Sequence, residues 1–212
     1  MNIRCSNIVP IPMADSVGES DIWRTEREFV SGNMYHIIAP SGTGKTSFVS
    51  ILFGIRKDYS GTVFFDNQNI AHIPLLEWAN IRRNKVSMVF QGLGLFPELT
   101  TLENIALKNK LTQHKTSAEI HTLISRLGLQ NHIHKPAAIL SFGQQQRVAL
   151  IRAMCQPFEC LLLDEPFSHL DSENATICMH IIEEELQQQN AIGILTSLEN
   201  KYYSNQHHVL NL

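Results

Sequence analysis

The chain has 212 residues, 17 Lys and Arg against 20 Asp and Glu, and a formal net charge of -3. That length suits one sizeable α/β core and is short for two full domains, and the slight acidity, without a Lys/Arg-rich tract, argues against nucleic acid as the main partner. No apolar run reaches the roughly 20 residues that a membrane span requires, and MNIRCSNIVP is no secretory signal, so a soluble, cytoplasmic protein is expected.

The first strong element is MYHIIA, Met34 to Ala39, a mostly apolar strand. The loop APSGTGKTS overlaps its end and has the chemistry of a phosphate cradle. Gly42 and Gly44 let backbone N–H groups turn inward, Lys45 adds a mobile positive charge, and Thr46 adds a hydroxyl suited to Mg2+. The full pattern G-x-x-x-x-G-K-[ST] would start at Ala39, where alanine stands for glycine; this is harmless unless the position needs a positive φ. KTSFVSILFG then reads as a helix closed by Gly54, which completes the strand, loop and helix order of such cradles.

GTVFFDNQ reads as a short strand and turn, PLLEWANIRR as a helix and KVSMVF as a strand. Two capping boxes follow, Thr100 with Glu103 and Thr116 with Glu119. Behind the second, Ile120, Leu123, Ile124 and Leu127 repeat at helical spacing and Gly128 ends the helix; this stripe is core, not a ligand site. ILSFGQQQRVALIRAM opens with Leu140 and Ser141, passes Gly143 and runs on as an amphipathic helix through Val148, Leu150, Ile151 and Met154. A serine and a glycine at a helix N-terminus offer a hydroxyl and free N–H groups, which form a second anion site. Two such sites in one small chain are most simply explained if they face each other across a dimer.

CLLLDEP is a buried strand whose C-terminal end presents Asp164 and Glu165, where open α/β sheets place their ligands. Beside a phosphate cradle, Asp164 would hold the Mg2+ shell and Glu165 would polarise an attacking water. Asp171 caps a long helix ending in QQQN, AIGILT is another buried strand, and HHVLNL is the last. Cys5, Cys155, Cys160 and Cys178 form no C-x-x-C pair and read as reduced core thiols. His132 and His134, and His207 and His208, have no Cys or carboxylate at ligand spacing and read as surface histidines.

With these motifs in order, the chain resembles the nucleotide-binding subunits of ATP-binding cassette (ABC) transporters over nearly its whole length. APSGTGKTS looks like the Walker A loop, VFQ ending at Gln91 like the Q-loop, and LSFGQ like the signature motif. CLLLDE looks like Walker B and SHLD, ending at Asp171, like the D-loop. RRNKVSMVFQ has a weaker similarity to the lipoprotein-release and macrolide-export type. The resemblance implies a P-loop NTPase (RecA-like) core of about 1–91 and 145–212, an antiparallel β subdomain, and an inserted helical signature subdomain of about 92–144.

It also implies ATP and Mg2+ as cofactors and a head-to-tail dimer, of like or unlike subunits, around two nucleotides. Pro40, Ser41, Gly42, Thr43, Gly44, Lys45, Thr46 and Ser47 would hold the phosphates, with Gln91 and Asp171, and Ser141, Gly143 and Gln144 would reach across from the partner. Thr46, Gln91 and Asp164 would hold the metal, while Glu165, Lys45 and Ser197 would serve catalysis. The output would pass to a membrane permease, placing the chain on the inner face of the cell membrane.

Three departures qualify the resemblance. Phe142 replaces the first glycine of the signature pair, at a position that varies in the family. An aromatic to stack on adenine is missing from residues 6–19, and Trp23 is the nearest one. In ILTSLEN, Ser197 stands where the family usually has a switch histidine. A hydroxyl reaches less far than an imidazole, and an unreplaced transition-state donor is worth about 2.7–4 kcal/mol. Turnover is therefore expected to be low if nothing replaces the imidazole; the alternatives are a hydrolytically silent ATP-binding subunit and a soluble ABC ATPase outside transport.

Overall fold

The computed structural model of the chain describes residues 1–199 and 207–212, so Asn200, the last residue of ILTSLEN, lies outside the described residues. A five-stranded parallel sheet carries the molecule, with β6 (Val86–Val89), β7 (Cys160–Asp164), β8 (Ile192–Ser197), β3 (Met34–Ile38) and β9 (His208–Asn211) side by side in that order. In β7, Leu161 and Leu163 enter the core on one face, while Cys160 and Leu162 enter the core on the other. The unbroken apolar run of CLLLD is thus what a strand covered on both sides requires.

A second, four-stranded antiparallel sheet has the order β2 (Glu26–Phe29), β1 (Ile3–Pro10), β4 (Tyr59–Phe65) and β5 (Gln68–Asn69). Sequence reading located only its β4–β5 part, and began that strand at Gly61 rather than Tyr59. In β1 the alternation is broken by a register shift between Ser6 and Val9 and by Asn7 at φ 52°, so IRCSNIVP shows no clean period of two.

The helices follow their caps. α1 (Lys45–Leu52) stops just before Gly54, which takes φ 71°, and α4 (Ser117–Arg126) stops before Gly128 at φ 65°. α2 spans Leu75–Asn84. α3 (Thr101–Thr112) and α4 both start on the capping boxes expected of them. The signature helix α5 covers Phe142–Met154, with Ser141 as its N-cap; Gln144 N donates to the Ser141 hydroxyl and Ser141 N to the Gln144 carbonyl, a third capping box. α6 (Ser172–Gln189) is capped by Asp171, which accepts from Asn174 N.

The α4 stripe shares one continuous core with Leu161, Leu163 and Ile181 rather than forming a core of its own. Lys115, in the turn before α4, makes a buried ion pair with Glu185 of α6 at 2.7 Å. All four cysteines are free and buried, and burial pushes the Cys155 and Cys178 thiols up to about 12. His207 is not the surface residue that sequence suggested; its side chain is almost fully covered and lies 2.8 Å from Glu183.

Candidate active site

The site lies along the C-terminal ends of β3, β7 and β8, the edge at which parallel sheets gather ligands. From β3 the chain turns through residues 39–44 into α1. Gly42 and Gly44 have φ of 84° and 103°, a region closed to most side chains, and a Cβ on Gly44 would stand 3.0 Å from the Met13 and Trp23 side chains. Ala39 is not among the residues of positive φ, so its methyl group carries no backbone penalty there. The loop is fixed by the Thr43 hydroxyl, which donates to Pro40 O at 2.8 Å, and by the Trp23 indole, which donates to Thr43 O at 3.2 Å. Trp23 is 3% exposed and meets Phe48 edge-on, so it is a core residue under the loop and no platform for a base.

Lys45 folds back over this loop. Its ammonium donates to Ala39 O at 2.7 Å and Pro40 O at 2.9 Å and lies 3.2 Å from Glu165 Oε1, so all three donors are engaged. Thr46 and Ser41 are exposed at the loop, whereas the Ser47 hydroxyl accepts from Arg56. Gln91 reaches the same place, its amide 3.4 Å from Glu165 Oε2.

Asp164 is 1% exposed. Its Oδ1 accepts from the Thr196 hydroxyl at 2.9 Å, and its Oδ2 has no hydrogen-bond partner among the described residues. Burial pushes this carboxyl up from its ordinary value, against the nearby hydroxyls of Thr46 and Thr196 and the Lys45 charge. An orphaned, buried carboxylate oxygen beside a threonine hydroxyl fits a hard divalent cation, which takes oxygen ligands. Glu165 sits at φ 49°, a left-handed conformation held by its N–H, which donates to Thr196 O and Oγ1, both at 3.2 Å. Thr196 therefore positions both acids; sequence reading passed over it, although it occupies the end of AIGILT as the acids occupy the end of CLLLD.

Ser197 lines a cavity of about 300 Å3 together with Glu165, Ser168 and Thr196. Its hydroxyl donates to Glu199 O at 2.7 Å and lies 2.7 Å from His36 Nε2. The remaining expected site residues are not drawn into this cluster. Ser141 and Gln144 bond each other, Gln144 also meets His132 at 3.2 Å, and a Cβ on Gly143 would stand 3.0 Å from His169 O. Asp171 spends both carboxylate oxygens on Asn174. No hydrogen bond among the described residues joins these four to Lys45 or Glu165.

Residues 25–168 match the model of the ABC transporter family. The chain belongs to that family. An ABC transporter ATP-binding protein of Mycobacterium tuberculosis, itself uncharacterised, is 33% identical over 80% of this chain and 52% of its own length. The spermidine/putrescine import ATP-binding protein PotA of Thermotoga maritima is 36% identical over 67% of this chain and 38% of its own length. The chain thus spans about half or less of these two relatives. A dimeric bacterial ABC transporter cassette superposes with a TM-score of 0.79 at 25% identity, over 93% of this chain and 88% of that one. The ABC fold, an α/β nucleotide-binding domain with one parallel and one antiparallel sheet, is the architecture seen here.

Proposed function

We propose that this chain is the ATP-binding subunit of an ABC transporter, and that it binds and hydrolyses Mg-ATP in a head-to-tail dimer to drive a membrane permease. The observation that carries this reading is the convergence of Lys45, Glu165 and the unpartnered Asp164 oxygen on the glycine loop. The inward N–H groups of residues 40–47 receive the phosphates, and Lys45 trades the Ala39 and Pro40 carbonyls for phosphate oxygens. Thr46, Gln91 and Asp164 hold Mg2+, which neutralises charge on the phosphates. Glu165, released from Lys45, accepts the proton of a water whose oxygen bonds to the γ-phosphorus as the bond to the bridging oxygen breaks and ADP leaves.

The exposed N-terminus of α5, with Ser141, Gly143 and Gln144, supplies donors to the nucleotide of a second copy or of an unlike subunit, and Asp171 lies on the same dimer face. The helical lobe, about 92–144, sits between the core, about 1–91 and 145–212, and the permease. The chain works in the cytoplasm on the inner face of the membrane, and the permease sets substrate and direction. A second reading, a subunit that binds ATP with little turnover, is favoured by the turn of the Ser197 hydroxyl toward Glu199 O.

The test is ATP hydrolysis with Mg2+ by the wild type and by Glu165→Gln, with dimer mass followed in parallel. Loss of the general base lowers turnover by about 10²-fold or more, with the ATP-bound dimer retained. Equal turnover in the two proteins refutes the role given to Glu165. No turnover in either, with ATP still bound, leaves the second reading.

A further inference from the structure

We propose that His36 is a positioning residue for the Ser197 hydroxyl: a buried imidazole on β3 that fixes the serine oxygen at the cavity wall, so that its single proton can swing to an anionic oxygen beside Glu165. The proposal deepens the hydrolysis reading above and rests on it for the identity of that anion.

His36 lies in the middle of the parallel sheet, between β8 and β9, and is completely buried. Its register partner on β8 is Leu195, so Ser197, two residues on, lies on the same face and its Oγ comes within 2.7 Å of Nε2. The protons on this chain of atoms follow from the end that cannot donate. Glu199 O is a carbonyl and only accepts, so the Ser197 proton is spent on it. Ser197 Oγ must then accept from His36, which places the proton on Nε2 and leaves Nδ1 bare. Nδ1 has no hydrogen-bond partner among the described residues, which suits a lone pair far better than a buried cationic N–H. Burial, with His207 nearby, accordingly holds the ring neutral.

A serine hydroxyl has one proton and two lone pairs. With one lone pair tied to His36, the oxygen cannot wander, and only the O–H direction remains adjustable. One direction is Glu199 O; the other opens into the cavity that Ser197 shares with Glu165 and Ser168. Donation from His36 also polarises the O–H, because consecutive hydrogen bonds strengthen one another. The sheet thus supplies an imidazole in two pieces, a ring inside and a hydroxyl at the surface. No other residue of β3 carries a group that could do this; its neighbours are Met34, Tyr35, Ile37 and Ile38.

The test compares His36→Phe, which keeps the ring volume, with His36→Gln, which restores a donor near Nε2. His36→Phe is expected to lower kcat about tenfold, the fold-change of one lost hydrogen bond, with ATP affinity unchanged within about twofold; His36→Gln recovers most of it. In a Ser197→Ala background, His36→Phe is expected to cost nothing further. Multiplying effects, or a fall in affinity in place of kcat, would overturn the proposal in favour of a merely structural ring. Independently of turnover, the ring nitrogens of 15N-histidine-labelled Glu165→Gln protein should report a neutral Nε2–H form for His36. Its Nε2 signal should move on addition of Mg-ATP, and should not move when Ser197→Ala is added. A signal indifferent to Mg-ATP overturns the proposal even if hydrolysis is confirmed. A wild type without turnover overturns only the hydrolysis reading, and the nitrogen signals then decide.

Discussion

Lys115→Met is the substitution whose cost the structure sets most directly. Lys115 Nζ lies 2.7 and 3.0 Å from the two oxygens of Glu185, and the side chains are only 7% and 8% exposed. Asn109 clamps the backbone of Lys115 from both sides, accepting from its N–H at 2.9 Å and donating to its carbonyl at 2.8 Å, so the turn cannot easily move away. Methionine keeps most of the length of the stem and removes the cation, leaving a buried carboxylate alone. Removing one member of such a pair costs about 3–5 kcal/mol, or about 6–20 °C in Tm for a chain of this size. Replacing both members, Lys115→Met with Glu185→Leu, should return most of that loss, because the penalty lies in the uncompensated charge. Arg126→Ala is the internal control. The Arg126–Glu184 pair is as short, at 2.6 Å, but its side chains are 40% and 49% exposed, and its loss should change stability by less than about 1 kcal/mol. Urea unfolding with linear extrapolation reads all four proteins. If Lys115→Met costs no more than Arg126→Ala, or if the double variant costs the sum of its parts, the account of this pair is wrong.

The other expectations concern the site. The His36 imidazole is held down to about 4 from an ordinary 6.5, first by burial and then by His207. The unfolded chain therefore takes up this proton before the folded one, and stability is whole above about pH 6.5 and lost as pH falls toward 4, at up to about 1.4 kcal/mol per pH unit. Unfolding curves between pH 7 and 4.5 should show this slope, flattened in His36→Phe; equal slopes would argue against a buried neutral ring. Gly44→Ala places a methyl group at φ 103° and 3.0 Å from Met13 and Trp23, a strain of about 1–3 kcal/mol. Titration with a fluorescent ATP analogue should show weakened binding, and unchanged affinity would mean that the loop does not use this conformation.

Sequence reading succeeded where a signal is local. The Thr100–Glu103 and Thr116–Glu119 boxes, the glycine loop and the apolar run before Asp164 each carry their instructions within a few residues, and each formed at the place read. The same logic extends to Ser141 and Gln144, whose S-x-x-Q spacing is a capping box that could have been named as one. It failed where partners are distant or periodicity is broken. Strand β1 is interrupted at Asn7 and was invisible by alternation. Trp23 could not be told from a ligand platform until its indole was seen on Thr43 O. His36 and Ser197 are 161 positions apart and meet only because β3 and β8 pair in parallel at one register. Thr196, likewise, has meaning only beside Asp164 on the neighbouring strand.

The bond from the Trp23 indole to Thr43 O gives the molecule a built-in optical gauge. The chain has two tryptophans, and the other, Trp78, packs against Phe65 away from the loop. With Trp78→Phe, emission comes from one indole whose polar edge rests on the phosphate loop itself. Any displacement of that loop changes the field at the chromophore, so its motion can be timed in the unlabelled protein, millisecond by millisecond, in a stopped-flow cell.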